Sequence, residues 1–354
     1  MEKLIIKKTT KPKEKPRQIT SFGTIFTDHI LVMDYTKENG WYNMRIEPYS
    51  SIALDPSACA LHYGQGVFEG LKAYKTKNGN IQLFRPLDNC QRLNRSSAKV
   101  CIPQLDADML LDGLEQLVKL EEEWIPEEEG TSLYIRPYII ATEAFLGVRP
   151  ALEYKLYIIL SPVGAYYPEG LKPVKILVEE NYVRAVRGGL GEAKTMANYA
   201  ASLLAAEEAK KKGFSQVLWL DGVERKYVEE VGTMNIFFKI KGKVITPALN
   251  GSILQGITRD SVIQVLHKWQ IPVEERTITI DEVIAASKDG TLEEIFGTGT
   301  AAVISPVGKM AYGDEILSIE DYDNESLSIK LYNYLTGIQY GTVQDDFNWI
   351  KIIQ

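Results

Sequence analysis

The spacing of apolar residues predicts a mixed α/β chain in two parts. Apolar runs at 30–33 and 52–54 read as strands, and 71–76 with 81–84 read as a hairpin around Lys77-Asn-Gly-Asn80. Two helices follow. One starts after Pro86 with Asp88 as its N-cap, and the other presents Met109, Leu110, Leu114, Leu117 and Val118 at helical spacing. The acidic stretch 121–129, interrupted by Pro126, reads as a solvated loop. Apolar strands at 132–142 and 154–161 close this part. Three prolines and two glycines in Pro162-Val-Gly-Ala-Tyr-Tyr-Pro-Glu-Gly-Leu-Lys-Pro173 predict a linker.

Beyond the linker come a strand at 174–179 and a helical run at 200–212 with Gly213 at C′. A strand–turn–strand unit around Asp221-Gly222, strands at 236–240 and 244–246, and a helix carrying Val262, Ile263, Val265 and Leu266 complete the pattern. No internal repeat is present. The expected organisation is a mobile basic tail at 1–20, a small αβ domain at 21–162, a linker at 163–173 and a larger domain at 174–354.

Composition narrows the function. The 354 residues are 45% hydrophobic and carry a net charge of −7, which fits a globular protein and argues against a nucleic-acid surface. No apolar run approaches the ~18 residues of a membrane span, and the Lys-rich start lacks a signal-peptide core. Three cysteines without metal spacing suit a reducing cytoplasm, and the three histidines form no metal cluster. There is no P-loop, no Gly-x-Gly-x-x-Gly after a strand and no Gly-x-Ser-x-Gly elbow.

The candidate chemistry lies in Lys194-Thr-Met-Ala-Asn-Tyr199 and Glu230-Val-Gly-Thr-Met-Asn235. An amine, a phenol and a carboxylate in this order suit pyridoxal phosphate: a Schiff-base lysine, a partner for the ring oxygen and a partner for the ring nitrogen. Each residue also has an ordinary reading. Lys194 could be a surface lysine at a helix start, and Glu229 and Glu230 could be solvated at a strand end, although period-two alternation turns one of them inward. Arg92 either binds an anion near a helix start or pairs with Asp88. Thr258 either helps a helix N-terminus hold phosphate or caps the helix, and Gly297-Thr-Gly-Thr300-Ala301 offers a second anion nest.

Taken in order, the segments resemble the branched-chain amino acid aminotransferases, the pyridoxal-phosphate enzymes of fold type IV. The resemblance runs from about Phe22 to the C-terminal region. It rests on Phe22-Gly…Phe26-Thr-Asp-His29, Leu61-His-Tyr-Gly-Gln-Gly-Val-Phe-Glu-Gly70, Leu83-Phe-Arg-Pro86, Tyr134-Ile-Arg-Pro137, Lys194…Asn198-Tyr199, Glu230-Val-Gly-Thr-Met-Asn235, Gly256-Ile-Thr258 and Gly299-Thr-Ala301. The long N-terminal segment and the Val-Gly-Thr-Met-Asn turn look most like the branch that includes the animal enzymes.

The resemblance implies a smaller N-terminal αβ domain and a larger C-terminal pseudo-barrel domain. It implies a ping-pong transfer of the amino group of L-leucine, L-isoleucine or L-valine to 2-oxoglutarate, giving L-glutamate. Lys194 matches the Schiff-base lysine and the proton carrier, Glu230 the ring-nitrogen partner, and Tyr199 the phenol at the ring oxygen. Arg92, Ile257, Thr258 and Thr300 match the phosphate cradle. Phe22, Tyr63, Phe68, Tyr134, Arg136, Thr233 and Ala301 match the substrate pocket, with Arg136 suited to the second carboxylate of glutamate. Leu146 and Val148 match a loop that, with Tyr63, completes the partner's site in a homodimer. Animal members carry a Cys-x-x-Cys pair just after the Thr-Ala turn, whereas this chain has Ala302 and Ser305, so no thiol switch is expected there. Two alternatives share the fold, a D-amino acid aminotransferase and an aminodeoxychorismate lyase. A binding protein without catalysis is the third.

Overall fold

The computed structural model describes residues 4–16, 22–164, 171–319 and 322–353. The chain forms two units. The first takes Met1–Pro168, Ala193–Met196 and Gly337–Gln354, and the second takes Glu169–Glu192 and Ala197–Thr336. The change of unit falls within the expected linker, whose residues 165–170 lie outside those described. The expected division at 174 differs in two places, because the residues around Lys194 and the C-terminal segment belong to the first unit.

The first unit is built on one sheet. Its strands run in the order Ile5–Ile6, Gly40–Pro48, His29–Thr36, Glu153–Val163, Ser132–Ala141, Leu71–Lys75, Ile81–Phe84 and Ile350–Ile353, and Gly66–Phe68 also pairs with Ser132–Ala141. Period-two alternation along Ser132–Ala141 sends Leu133, Ile135 and Ile139 into the core, where helices Pro86–Lys99 and Ala107–Leu120 contribute Leu93, Leu110, Leu114 and Leu117. Tyr134, Arg136 and Tyr138 face the other way, and Lys72 and Phe68 are the cross-strand neighbours of Tyr134 and Tyr138.

Helix Ala107–Leu120 shows how the sequence sets an element. Asp106 caps it by accepting from the N–H groups of Asp108 (2.9 Å) and Met109 (3.1 Å). Leu110, Leu114, Leu117 and Val118 form its buried stripe. Each contributes roughly 1.5–3 kcal/mol of burial, and Leu114→Ala would cost about 2–5 kcal/mol.

Several features depart from the expectations. Helix Pro86–Lys99 begins with Arg85, not Asp88, at its N-cap, and Asp88 pairs with Arg85 at 2.7 Å. Residues 52–54 form no strand. Strand Gly40–Pro48 lies outside the expected elements; a register shift opposite it and the positive φ of Asn43 (55°) interrupt its alternation. In the acidic stretch, Glu121 is buried, pairing with His29 Nδ1 and accepting from the Asp28 N–H at 3.2 Å. Trp124 Nε1 donates to Asp28 Oδ2 at 3.2 Å, so this corner is anchored and not a free solvated loop.

Residues 4–16, expected as part of a mobile tail, lie against the same sheet. Ile5–Ile6 pairs in parallel with Arg45 and Ile46. The Thr9 N–H donates to His29 Nε2 (2.8 Å), and Lys13 donates from its N–H to Asp28 Oδ1 (2.8 Å) and from Nζ to the Thr27 carbonyl (2.7 Å).

The second unit contains a closed ring. Strands Val228–Val231, Gln216–Leu220, Val174–Val178, Val303–Tyr312, Leu292–Gly299 and Met234–Ile240 pair in sequence, and the last pairs back with the first. The pseudo-barrel expectation therefore holds. The helical run expected at 200–212 is two helices, Met196–Ala201 and Leu203–Lys211, ending before Gly213 at φ +84°.

Candidate active site

In the first unit, the sheet face turned away from the helices assembles five of the expected residues. Lys194 Nζ stands 4.8 Å from the centroid of the Phe68 ring, and Arg136 Cζ stands 4.7 Å from the same ring. Arg136 Nη2 donates to the Tyr134 hydroxyl at 2.9 Å, and Phe22 meets the Tyr134 ring edge-on at 4.8 Å. Arg136 Nε is buried without a hydrogen-bond partner among the described residues.

Backbone contacts fix where Lys194 sits. Its N–H donates to Ser96 Oγ (2.9 Å), its carbonyl accepts from the Phe68 N–H (3.0 Å), and Thr195 bridges to Val67. A short excursion of chain from residues 193 to 196 thus delivers the lysine to strand Gly66–Phe68. Arg92 does not pair with Asp88. Its Nε and Nη2 hold the Glu69 carboxylate at 2.7 and 2.9 Å. Since the helix starts at Pro86, Arg92 sits beyond the first turn, and the dipole argument for an anion loses its force.

Tyr63, Leu146 and Val148 lie at the surface of the single chain, with relative exposures of 42%, 61% and 87%. The Tyr63 hydroxyl donates to the Leu146 carbonyl.

In the second unit, Glu230 and Asn235 are paired across the hairpin that joins the first and last strands of the ring. Glu230 Oε1 accepts from Asn235 Nδ2 (3.1 Å) and the Leu254 N–H (3.3 Å), and Oε2 pairs with Arg184 Nη2 at 2.7 Å. Both Glu229 and Glu230 are buried, at 2% and 3% exposure, so alternation does not leave one in water. Strand Val228–Val231 belongs to a closed ring, and loop residues cover its second face: Ser252 donates to Glu229 Oε1. Burial pushes the Glu229 carboxyl up, against the pull of Ser252 and Arg184.

Asn235 Nδ2 also donates to the Leu254 carbonyl at 2.9 Å, which ties the hairpin to the segment entering helix Ile257–Lys268. Gly256, not Thr258, is the N-cap. It offers no side-chain cap, and a Cβ there would meet Asn235 Oδ1 at 2.0 Å. Ile257 and Thr258 therefore open a helix whose positive end has no side chain of its own capping it. Thr300 and Ala301 lie in the turn between strands Leu292–Gly299 and Val303–Tyr312. There the Ile304 N–H bonds the Ala302 carbonyl (2.8 Å) around Val303 at φ +62°, a strained conformation for a β-branched residue. Thr233 is exposed at the hairpin tip, and Tyr199 is half-buried on helix Met196–Ala201.

The sequence did not single out Glu69, Lys72 or Arg184. Lys72 offered a signal, as a lysine between Leu71 and Ala73 in a buried strand, opposite Tyr134. Burial brings its ammonium down to about 8. Among the described residues no cluster of His, Cys, Asp and Glu could hold a metal, and no helix is long and apolar enough to cross a membrane.

The first unit thus holds a lysine beside an arginine–carboxylate pair. The second unit, taken by itself, holds a buried carboxylate and a helix that opens at Gly256 without a side-chain cap. The family model of class IV amino-transferases matches residues 66–310. Branched-chain-amino-acid aminotransferase 2 of Bacillus subtilis (strain 168) is 61% identical over 341 residues, covering 96% of this chain and 94% of its own. Branched-chain-amino-acid transaminase 1 of the same organism is 54% identical over 352 residues, covering 99% of each. Among solved structures, the Escherichia coli branched-chain amino acid aminotransferase superposes with a TM-score of 0.77 at 26% identity, over 92% of this chain and 99% of its own. A T.th. branched-chain amino acid aminotransferase, solved with pyridoxamine 5'-phosphate, superposes at 0.74 with 25% identity, over 91% and 98%. This chain belongs to the branched-chain-amino-acid aminotransferases within class IV.

Proposed function

We propose that the enzyme moves the amino group of L-leucine, L-isoleucine or L-valine to 2-oxoglutarate with pyridoxal 5'-phosphate as cofactor. When bound, the cofactor supplies an electron sink for the bond broken at the substrate α-carbon. Lys194 anchors it and moves the proton at that carbon, Tyr199 bonds the ring oxygen, and Glu230 holds the ring nitrogen protonated. Arg92, Ile257, Thr258 and Thr300 take the phosphate. Glu230 is suited to its role because its carboxylate already accepts two N–H bonds and an arginine.

The substrate side chain is assigned to Phe22, Tyr63, Phe68, Thr233 and Ala301, with Leu146 and Val148 supplied to the partner's site in a homodimer. Exposure of these two apolar side chains in the single chain supports that assembly. Arg136 and Tyr134 are assigned to the second carboxylate of glutamate, for which the partnerless Arg136 Nε is a ready donor. Three free cysteines accord with a cytoplasmic enzyme.

The observation that carries the reading is the grouping of Lys194, Phe68, Arg136 and Tyr134 on one sheet face, an amine and a carboxylate-binding cation flanking one aromatic ring. Side-by-side assays with L-leucine, D-alanine and aminodeoxychorismate test it. Turnover of L-leucine with 2-oxoglutarate, and neither of the others, is expected. Preference for D-alanine or aminodeoxychorismate would overturn it.

A further inference from the structure

Glu69 is fully buried, at 0% exposure, and no step of the proposed reaction uses it. Its carboxylate accepts four hydrogen bonds: from the Gly70 N–H (3.1 Å), Asn89 Nδ2 (2.8 Å), Arg92 Nε (2.7 Å) and Arg92 Nη2 (2.9 Å). Burial opposes its charge most strongly, but Arg92, Lys194 and Asn89 together outweigh that cost, so the carboxyl is held below its ordinary range. A buried carboxylate this fully satisfied is an electrostatic anchor.

The anchor is specific in direction. Two parallel bonds from Nε and Nη2 fix both the position and the plane of the guanidinium. Arginine has five N–H donors, so three are directed elsewhere than Glu69. Consecutive residues also register this arginine with the lysine. Phe68 holds the Lys194 carbonyl while Glu69 holds Arg92. One turn along the helix from Arg92, Ser96 receives the Lys194 N–H at 2.9 Å. The strand and the helix thus fix Arg92 and Lys194 in one frame, with Glu69 as its charged joint.

We propose that Glu69 is a positioning residue, orienting Arg92 toward the cofactor phosphate in register with Lys194. The inference rests on the reading that Arg92 binds that phosphate. An arginine free to swing would lose rotamer entropy on binding, and Glu69 removes that loss in advance.

The test compares pyridoxal 5'-phosphate with pyridoxal, which lacks the phosphate, by measuring the dissociation constant of each for the full-length enzyme after its cofactor is removed. A role confined to folding weakens both ligands alike, whereas a role in aiming Arg92 weakens only the phosphorylated one. In Glu69→Gln the preference for pyridoxal 5'-phosphate is expected to fall about 10- to 100-fold, the scale on which outer partners tune a ligand. Glu69→Asp keeps the charge but shifts it by a methylene, and is expected to show a smaller loss with the fold intact. Should Glu69→Gln fail to fold, Glu69→Asp decides. A wild-type preference in the folded variants overturns the proposal. Arg92→Met separates the two layers: if it too keeps the preference, the phosphate assignment of Arg92 is wrong, and if it alone loses the preference, only the role of Glu69 is wrong.

Discussion

Arg184 Nη2 lies 2.7 Å from Glu230 Oε2, and both side chains are buried. Arg184 also donates to the Ser252 carbonyl from the same nitrogen at 2.5 Å, so it is held from two sides. Replacing one member strands the other's charge. Glu230→Gln is expected to cost about 3–5 kcal/mol in urea unfolding, and Arg184→Met with Glu230→Gln is expected to recover most of it. Turnover of L-leucine should stay about 10²–10³-fold down in both, the scale for losing one preorganised electrostatic partner. Recovery of activity in the double variant would show that Glu230 serves only the fold.

Gly70 makes room for Tyr134. A Cβ at Gly70 would meet the Tyr134 hydroxyl oxygen at 2.1 Å, so Gly70→Ala must displace the ring that Arg136 holds. The KM for 2-oxoglutarate is expected to rise about tenfold, the value of roughly 1.4 kcal/mol at the second carboxylate, while the KM for L-leucine changes little. Equal changes in both would argue against a glutamate-specific role for this pair.

Lys72 offers a pH test. Burial puts its folded value at about 8, below the unfolded value near 10.4. The folded state therefore disfavours the proton, a cost that is complete below about pH 8 and vanishes above pH 10.4. Lys72→Met should raise stability at pH 7 by on the order of 1–3 kcal/mol, with the gain gone by about pH 10.5. Urea titrations at the two pH values check it, and a gain independent of pH would point to packing instead.

Asp221 has the opposite sign. Burial alone would raise its carboxyl, but N–H groups of Val223, Glu224, Lys226 and Tyr227 bring it down to about 2. Its contribution is present above the unfolded value near 3.9 and is lost as pH falls through about 2. Asp221→Asn is expected to cost about 1–2 kcal/mol at pH 7, with the gap to the parent narrowing between pH 4 and pH 2. A gap constant across that range would contradict the charge-based account.

Much of this was legible in the sequence because strong local signals coincide with tertiary ones. The stripe of Leu110, Leu114, Leu117 and Val118 and the turn at Lys77–Asn80 needed no context. What escaped depends on contacts distant in sequence. Glu69 stood inside a recognised motif, yet nothing near it showed that Arg92, a helix away, would claim its carboxylate in place of Asp88. Glu229 and Glu230 looked like an in–out pair because strand alternation assumes one wet face, and in this ring loop residues such as Ser252 cover that face. The N-terminal residues read as a free tail by composition, but Thr9 and Lys13 bond to the backbone and side chains of 27–29, a pairing that charge patterning cannot reveal. Ordered motifs carried the candidate residues; the partners that hold them were set by the fold.

Every role proposed above depends on Lys194 carrying the cofactor. Reduction of the purified, cofactor-loaded enzyme with borohydride, followed by proteolysis and mass spectrometry, tests it directly. A phosphopyridoxyl adduct is expected on the peptide containing Lys194, and is expected to be lost in Lys194→Ala. An adduct on another lysine, or turnover of L-leucine by Lys194→Ala, would contradict it.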